Sequence, residues 1–144
     1  MYLDTAIIIK LLVAEPDTEF FQSALENELL SSSELALTEV WSALLAKERK
    51  KLITARQRAE AWRVFNERVQ SKQLRLHPLN SIVLKKANQV LEQCHPLVAL
   101  RALDAIHTAA CDLSQDFPLC TTDKRMRDAA GVLGIPVFPT DDPR

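Results

Sequence analysis

The hydrophobic pattern of this chain predicts short strands separated by helices. Tyr2 and Leu3 open a strand over residues 1–4 that ends at Asp4. Residues 5–13 follow helical spacing, with Ile7, Ile8, Leu11 and Leu12 facing inward. Glu15-Pro16-Asp17 breaks that helix, and Pro16 suits the first turn of a second one running to about residue 28. A strand over 29–33 leads to a helix over 34–52, with Leu37, Val40, Trp41, Leu44 and Leu45 on one side. Thr54 and Gln57 form a capping box that opens a helix to about residue 72, with Ala55, Ala59, Trp62, Phe65 and Val69 inward. A strand over 74–77 closes at Pro78. Asn80 then caps a helix to Cys94 carrying Val83, Ala87, Val90 and Leu91, and His95-Pro96 ends it. The remainder reads as a helix over 100–114, a strand over 118–122, a helix over 123–133 closed by Gly134 as a left-handed cap, a strand over 135–138, and a loose tail over 139–144.

Strands alternating with helices argue for an α/β domain whose parallel sheet is covered on both faces. The pattern holds no repeat and no linker, so residues 1–144 read as one domain. Helices 34–52 and 54–72 read as a hairpin. The two glycines, Gly131 and Gly134, are too few for a P-loop or a glycine-rich dinucleotide turn.

One stretch departs from simple amphipathic order. In Leu100–Ala110 the residues Leu103, Ile106 and Ala110 form an apolar stripe, and Asp104 lies beside it. A carboxylate near a core needs a partner. Arg101, a backbone amide or a metal ion each qualify.

Composition narrows the class. With 47% apolar and 26% charged residues, the chain has the profile of a soluble globular protein. No apolar run reaches the roughly 18 residues of a membrane span, and the N-terminus has no secretion signal, so a cytoplasmic protein is expected. Cys94, Cys111 and Cys120 are odd in number and far apart, which fits reduced thiols. His77, His95 and His107 are equally scattered, so no zinc-type ligand pairing appears.

The net charge of −1 hides an asymmetry. Residues 47–86 hold twelve lysines and arginines against Glu48, Glu60 and Glu67; the rest of the chain holds six basic residues against sixteen acidic ones. The basic segment coincides with the hairpin and the elements just after it. It is either a solvated helical face or a surface for a polyanion or acidic partner.

Four acids stand at positions that can meet. Asp4 and Asp123 follow strands, where the crevice of an open parallel sheet lies, and Glu39 and Asp104 sit in apolar helices. Singly, Asp4 and Asp123 read as helix N-caps, Glu39 as a surface residue beside Trp41, and Asp104 as a partner of Arg101. Together they repel. Two unit charges about 4 Å apart cost roughly 4 kcal/mol at an effective dielectric of 20. Such a cluster holds protons or a cation, and an all-oxygen set selects Mg²⁺ or Mn²⁺. That is the apparatus of phosphodiester hydrolysis. An aspartyl phosphatase would need an Asp-x-Asp pair, but residue 6 is Ala, and a receiver would need an acidic neighbour beside Asp4.

The segments Tyr-Leu-Asp4-Thr, Leu-Thr-Glu39-Val, Leu-Arg-Ala-Leu-Asp104-Ala-Ile-His and Cys-Thr-Thr-Asp123, the last followed by Ala129-Ala-Gly-Val-Leu-Gly-Ile-Pro-Val, resemble the PIN domain. More narrowly they resemble VapC-type toxins of toxin–antitoxin pairs, in order and spacing from residue 1 to about 138. The resemblance implies a three-layer α/β/α domain with a central five-stranded parallel sheet. It implies a Mg²⁺- or Mn²⁺-dependent endoribonuclease that cleaves RNA with a metal-activated water, dimerises, and is neutralised by a cognate antitoxin. The family's acidic quartet falls on Asp4, Glu39, Asp104 and Asp123, all acidic here. Asp4 and Asp104 are the first candidates for direct ligands, with Glu39 and Asp123 completing the sphere. Thr5 and Thr122 flank two of the acids and are candidates to steady them; Arg101 is a candidate to orient Asp104 or hold a substrate phosphate. His107, one turn beyond Asp104, reads as a core or supporting residue, and Asp128 as a solvated helix residue. The hairpin at 34–72 corresponds to the family's clip for partner contacts. The rival reading is a non-catalytic module that binds nucleic acid or protein through this hairpin.

Overall fold

A computed structural model describes residues 1–141, so positions 142–144 of the expected tail lie outside the described residues. Five strands, β1 (Tyr2–Leu3), β2 (Leu30–Ser33), β3 (Leu74–His77), β4 (Leu119–Cys120) and β5 (Val137–Phe138), form one parallel sheet in the order β3-β2-β1-β4-β5. Seven helices are assigned among the described residues: α1 (Thr5–Leu12), α2 (Thr18–Leu25), α3 (Ala36–Arg49), α4 (Ala55–Gln70), α5 (Ser81–Cys94), α6 (Ala102–Ser114) and α7 (Lys124–Leu133).

Period-two geometry divides the core. Successive strand residues point to opposite faces. Tyr2 and Leu119 therefore join the core under α5, α6 and α7, while Leu3 and Cys120 join the core under α1 to α4. The result is the three-layer α/β/α arrangement. Phe21, Leu44 and Phe65 fill one side and Val90, Ala105, Ala109 and Met126 the other, all essentially buried. Full burial of a large apolar side chain contributes about 1.5–3 kcal/mol each.

Strand order positions the site. From β1 the chain moves outward to β2 and β3, then crosses back to lay β4 and β5 on the other side of β1. The direction reverses between β1 and β4, so a crevice opens beyond the carboxyl ends of those two strands. Asp4 follows β1, and Thr121 to Asp123 follow β4.

Local signals read from the sequence hold at several points. Asp4, Asn80 and Asp123 each accept an amide three residues on, and Thr54 with Gln57 completes the reciprocal capping box. Gly134 closes α7 at φ 73°, a left-handed conformation that glycine adopts without strain.

Other expectations are corrected. The Asp104 helix starts at Ala102, so Leu100 and Arg101 precede it. Leu103 is 48% exposed; the buried face is Ala105 and His107 to Cys111. This face is wider than the stripe expected because the small residues Ala105, Ala109 and Ala110 let α6 lie close to its neighbours. On α3, Leu37 is exposed while Val40 and Leu44 are buried. On α4, Ala55 and Ala59 face solvent and Ala61 is buried in their place. The α3–α4 contact turns α4 so that the Trp62 ring meets Trp41 at 4.8 Å. Arg58 lies over the Trp41 ring at 5.3 Å, and Arg58 Nε donates to Glu48 Oε1 at 2.6 Å. The Pro16 turn lies ahead of α2, which begins at Thr18.

Candidate active site

Asp4 is 4% exposed, at the end of β1. Its Oδ1 accepts the Ile7 amide at 2.9 Å, and its Oδ2 accepts the Thr121 hydroxyl. Burial pushes the Asp4 carboxyl above its ordinary range, against the pull of Thr121, Ile7 and His107, and neighbouring Asp123 adds to the rise. Asp4 is thus a buried acid whose charge the surrounding protein does not fully compensate.

Thr121 also accepts the Asp123 amide through Oγ1 at 3.1 Å, tying both strand-end acids to one hydroxyl. The supporting role expected of Thr122 falls instead to Thr121. Thr121, the first residue after β4, is the position turned toward Asp4, while Thr122 makes no hydrogen bond to the four acids among the described residues. The legible signal was the Thr-x-Asp spacing, which lets a hydroxyl accept the amide two residues on.

Asp123 Oδ1 accepts the Met126 amide at 3.0 Å. Arg101 bridges it to Asp104: Nε donates to Asp104 Oδ2 at 3.0 Å, and Nη2 lies 4.0 Å from Asp123 Oδ2. The pairing of Arg101 with Asp104 is therefore present, and it extends to a second acid.

Glu39, on the first turn of α3, completes the group. Its Oε1 accepts the Thr5 hydroxyl at 2.8 Å and stands 2.5 Å from His107 Nε2. Burial raises the Glu39 carboxyl, but the hydrogen bond and charge of His107 with the Thr5 hydroxyl outweigh it, and the net shift is downward. Thr5 thus steadies Glu39, across the crevice, although it adjoins Asp4 in sequence.

Thr121 and Arg101 join Asp4, Asp123 and Asp104, while Glu39 belongs to a separate network with Thr5 and His107, which adjoins the first through the chain: Thr5 follows Asp4, and His107 shares α6 with Asp104. These bonds do not bring the carboxylates into mutual contact: among the described residues no three His, Cys, Asp or Glu side chains are grouped closely enough to hold a metal ion as they stand. The donor set nevertheless fits a hard cation. All four are carboxylates, Glu39 Oε2 and Asp104 Oδ1 have no hydrogen-bond partner among the described residues, and the cationic partner of Asp104 is a largely exposed arginine. The three cysteines are buried and free, and burial pushes Cys111 up to about 12, so none is a poised nucleophile. A separate groove of about 940 Å³, lined by Leu11, Leu12, Leu25, Phe65, Arg68 and Lys72, includes none of the four acids.

The fold and the acids at its switch point define an α/β protein of the nuclease-like class. The family model described as the PIN domain matches residues 1–132, and the chain belongs to that family. It is 37% identical over 141 residues to Ribonuclease VapC46 of Mycobacterium tuberculosis (strain ATCC 25618 / H37Rv), covering 96% of this chain and 95% of that protein. Two solved structures share the fold. VapBC2 from Rickettsia felis, crystallised with a promoter DNA fragment, matches with TM-score 0.66 at 12% identity, over 94% of this chain and 95% of that one. FitAcB from Neisseria gonorrhoeae matches with TM-score 0.65 at 19% identity, over 96% of each.

Proposed function

We propose that this PIN-domain protein is the endoribonuclease toxin of a type II toxin–antitoxin pair, hydrolysing RNA phosphodiester bonds with a divalent cation. The observation that carries the reading is the constellation of Asp4, Glu39, Asp104 and Asp123 at the sheet's switch point, all acidic in a chain 37% identical to a named ribonuclease.

Asp4 and Asp104 would hold Mg²⁺ or Mn²⁺ directly, with Glu39 and Asp123 completing the sphere. When bound, the cation supplies an activated water and neutralises charge on the phosphate. The protein's own part is positional. Thr121 and the Ile7 amide fix Asp4, Thr5 and His107 fix Glu39, and the Met126 amide fixes Asp123. Arg101, exposed at the rim, is placed to take a phosphate oxygen once released from Asp104. The basic surface of the α3–α4 hairpin attracts the polyanion and offers contacts to an acidic or mixed-charge antitoxin.

The partners proposed are RNA, a cognate antitoxin and a second copy of this chain, in the cytoplasm. No helix among the described residues is long and apolar enough to cross a membrane. The single-domain organisation with its clip at about 34–72 belongs to the same reading.

The test is incubation of the purified protein with a mixed RNA pool in Mg²⁺ or Mn²⁺, beside Asp4→Asn and a matched DNA pool. Metal-dependent RNA cleavage lost in Asp4→Asn supports the reading. Equal inertness of both proteins under every metal removes it, and preferential DNA cleavage changes the substrate.

A further inference from the structure

We propose that His107 is a positioning residue for Glu39, held by Tyr2, and that this buried relay sets how well the site takes its cation. The inference rests on the metal-nuclease reading above. It concerns a residue outside the acidic quartet.

The geometry is a continuous chain of hydrogen bonds. Tyr2 Oη lies 2.8 Å from His107 Nδ1, and His107 Nε2 lies 2.5 Å from Glu39 Oε1. The Thr5 hydroxyl donates to the same Oε1 at 2.8 Å and sits 3.2 Å from Nε2. A carboxylate oxygen only accepts, so Nε2 carries the hydrogen. Nδ1 faces the Tyr2 hydroxyl, which donates to it in the neutral ring and accepts from it in the imidazolium. Every side-chain polar atom of Tyr2 and His107 has a partner.

Both donors act on Oε1, which leaves Oε2 as the oxygen without a partner among the described residues. The relay therefore selects one carboxylate oxygen for internal bonding and presents the other. A carboxylate held this way has lost its rotamer freedom before a cation arrives, which is the ordinary work of residues that orient metal ligands.

The relay is rigidly seated. His107 is 2% exposed and Tyr2 is fully buried. The Tyr2 ring meets the His107 ring edge-on at 5.9 Å and stacks with His77 at 6.5 Å and 8°. His77 is in turn fixed by Asp116 at 2.6 Å. Asp104 and His107 are three residues apart on α6, hence on neighbouring parts of one helix face. One helix thus carries an acid of the site and the clamp of another acid from α3.

Mn²⁺ affinity of the purified protein, measured by calorimetry and by loss of the free-ion electron paramagnetic signal, tests this without requiring turnover. His107→Leu is expected to weaken Mn²⁺ binding about tenfold to a hundredfold. His107→Gln, whose amide N–H reaches the Nε2 position, is expected to restore most of the affinity. Tyr2→Phe keeps the ring packing and removes only the hydroxyl, so it reads the relay even if His107→Leu fails to fold. It is expected to weaken binding in the same direction, by less. A lost affinity that Gln rescues separates positioning from packing, since a packing role would follow side-chain shape instead of the N–H. Wild-type affinity in Tyr2→Phe and in folded His107→Leu, with Asp104→Asn clearly weakened, overturns the inference and leaves the metal site standing. Absence of Mn²⁺ binding by the wild type overturns the metal reading, and the inference with it.

Discussion

Arg101 donates from Nε to Oδ2 of Asp104 at 3.0 Å, and so places a cation of the protein's own between two acids proposed to hold a metal. The guanidinium is two-thirds exposed, so water screens the pair. Metal binding to Asp104 then competes with a weak internal partner. Arg101→Ala is expected to tighten Mn²⁺ binding, by less than about tenfold given that screening. If Arg101 also meets the scissile phosphate, the same variant raises KM for RNA. Titration calorimetry and steady-state cleavage report the two effects separately, and unchanged values in both would reduce Arg101 to a helix-end residue.

The buried Asp4 carboxylate carries a cost that Asn would remove. Its net pKa shift is upward, chiefly from burial, so the ionised form is disfavoured in the fold. In Asp4→Asn the side-chain oxygen still accepts from Ile7. The new N–H₂ donates to Thr121 Oγ1, whose own hydrogen turns toward Met126 Sδ, 3.9 Å away. Asp4→Asn is expected to raise the metal-free melting temperature while reducing cleavage by about 10²-fold or more. Thermal melts in chelator and an RNA cleavage assay check the pair of outcomes. A lower melting temperature would show that Asp4 is structurally compensated. Asp104→Asn, by contrast, removes only the screened Arg101 pair, so the metal-free protein should melt within about 2 °C of wild type.

How far the sequence reached follows from the range of the forces involved. Caps at Asp4, Thr54, Asn80 and Asp123 were legible because a cap is a bond over three residues. Strand positions were legible because short apolar runs fall between helix signals. Asp104 was legible as anomalous, and its Arg101 partner lies one turn away. The exposure of Ala55, Ala59 and Leu103 was not legible, because the contact between Trp41 and Trp62 and the close packing of α6 set those helix rotations. Nor was the Glu39–His107 bond, which joins residues 68 apart in sequence. Thr121 displaced Thr122 because β4 ends at Cys120, short of the strand expected to run to residue 122, and sequence patterns fix strand ends only to within a few residues.

Glu39 and Asp4 give opposite pH signatures. Glu39 titrates below its ordinary value of 4.5 in the fold. Its contribution to stability is therefore complete above that value and lost as pH falls from there through the folded pKa. Asp4 titrates above its ordinary 3.8, so its ionisation lowers stability as pH rises from that value through the folded pKa. Glu39→Gln is expected to flatten the acid-side loss of stability, and Asp4→Asn to steepen it. Urea unfolding of metal-free protein between about pH 3 and 6 measures both slopes. Parallel profiles for wild type and Glu39→Gln would dismiss the His107 pairing as a source of stability.

The basic segment over residues 47–86 holds both occupied and available charges. Arg58 is bound to Glu48, and Arg63 is held between Glu60 and Glu67. Lys47 lies 3.8 Å from Glu15, and Lys86 pairs with Asp112 on the opposite face of the sheet. Arg49, Lys50, Lys51 and Arg56 are exposed, and none makes an ion pair among the described residues. They cluster where α3 passes into α4. Counterion release makes phosphate contacts additive in the salt slope, each contributing close to one unit. Replacing Lys50, Lys51 and Arg56 together by Ala is therefore expected to weaken RNA binding at low salt and reduce the slope of log affinity against log salt by about 2–3. Arg63→Ala, which removes a charge already neutralised by two glutamates, is expected to change the slope little. Fluorescence anisotropy with a short labelled RNA, titrated across salt concentrations, compares the two variants. Equal slopes for wild type and the triple variant would place the RNA elsewhere and leave this cluster to a protein partner.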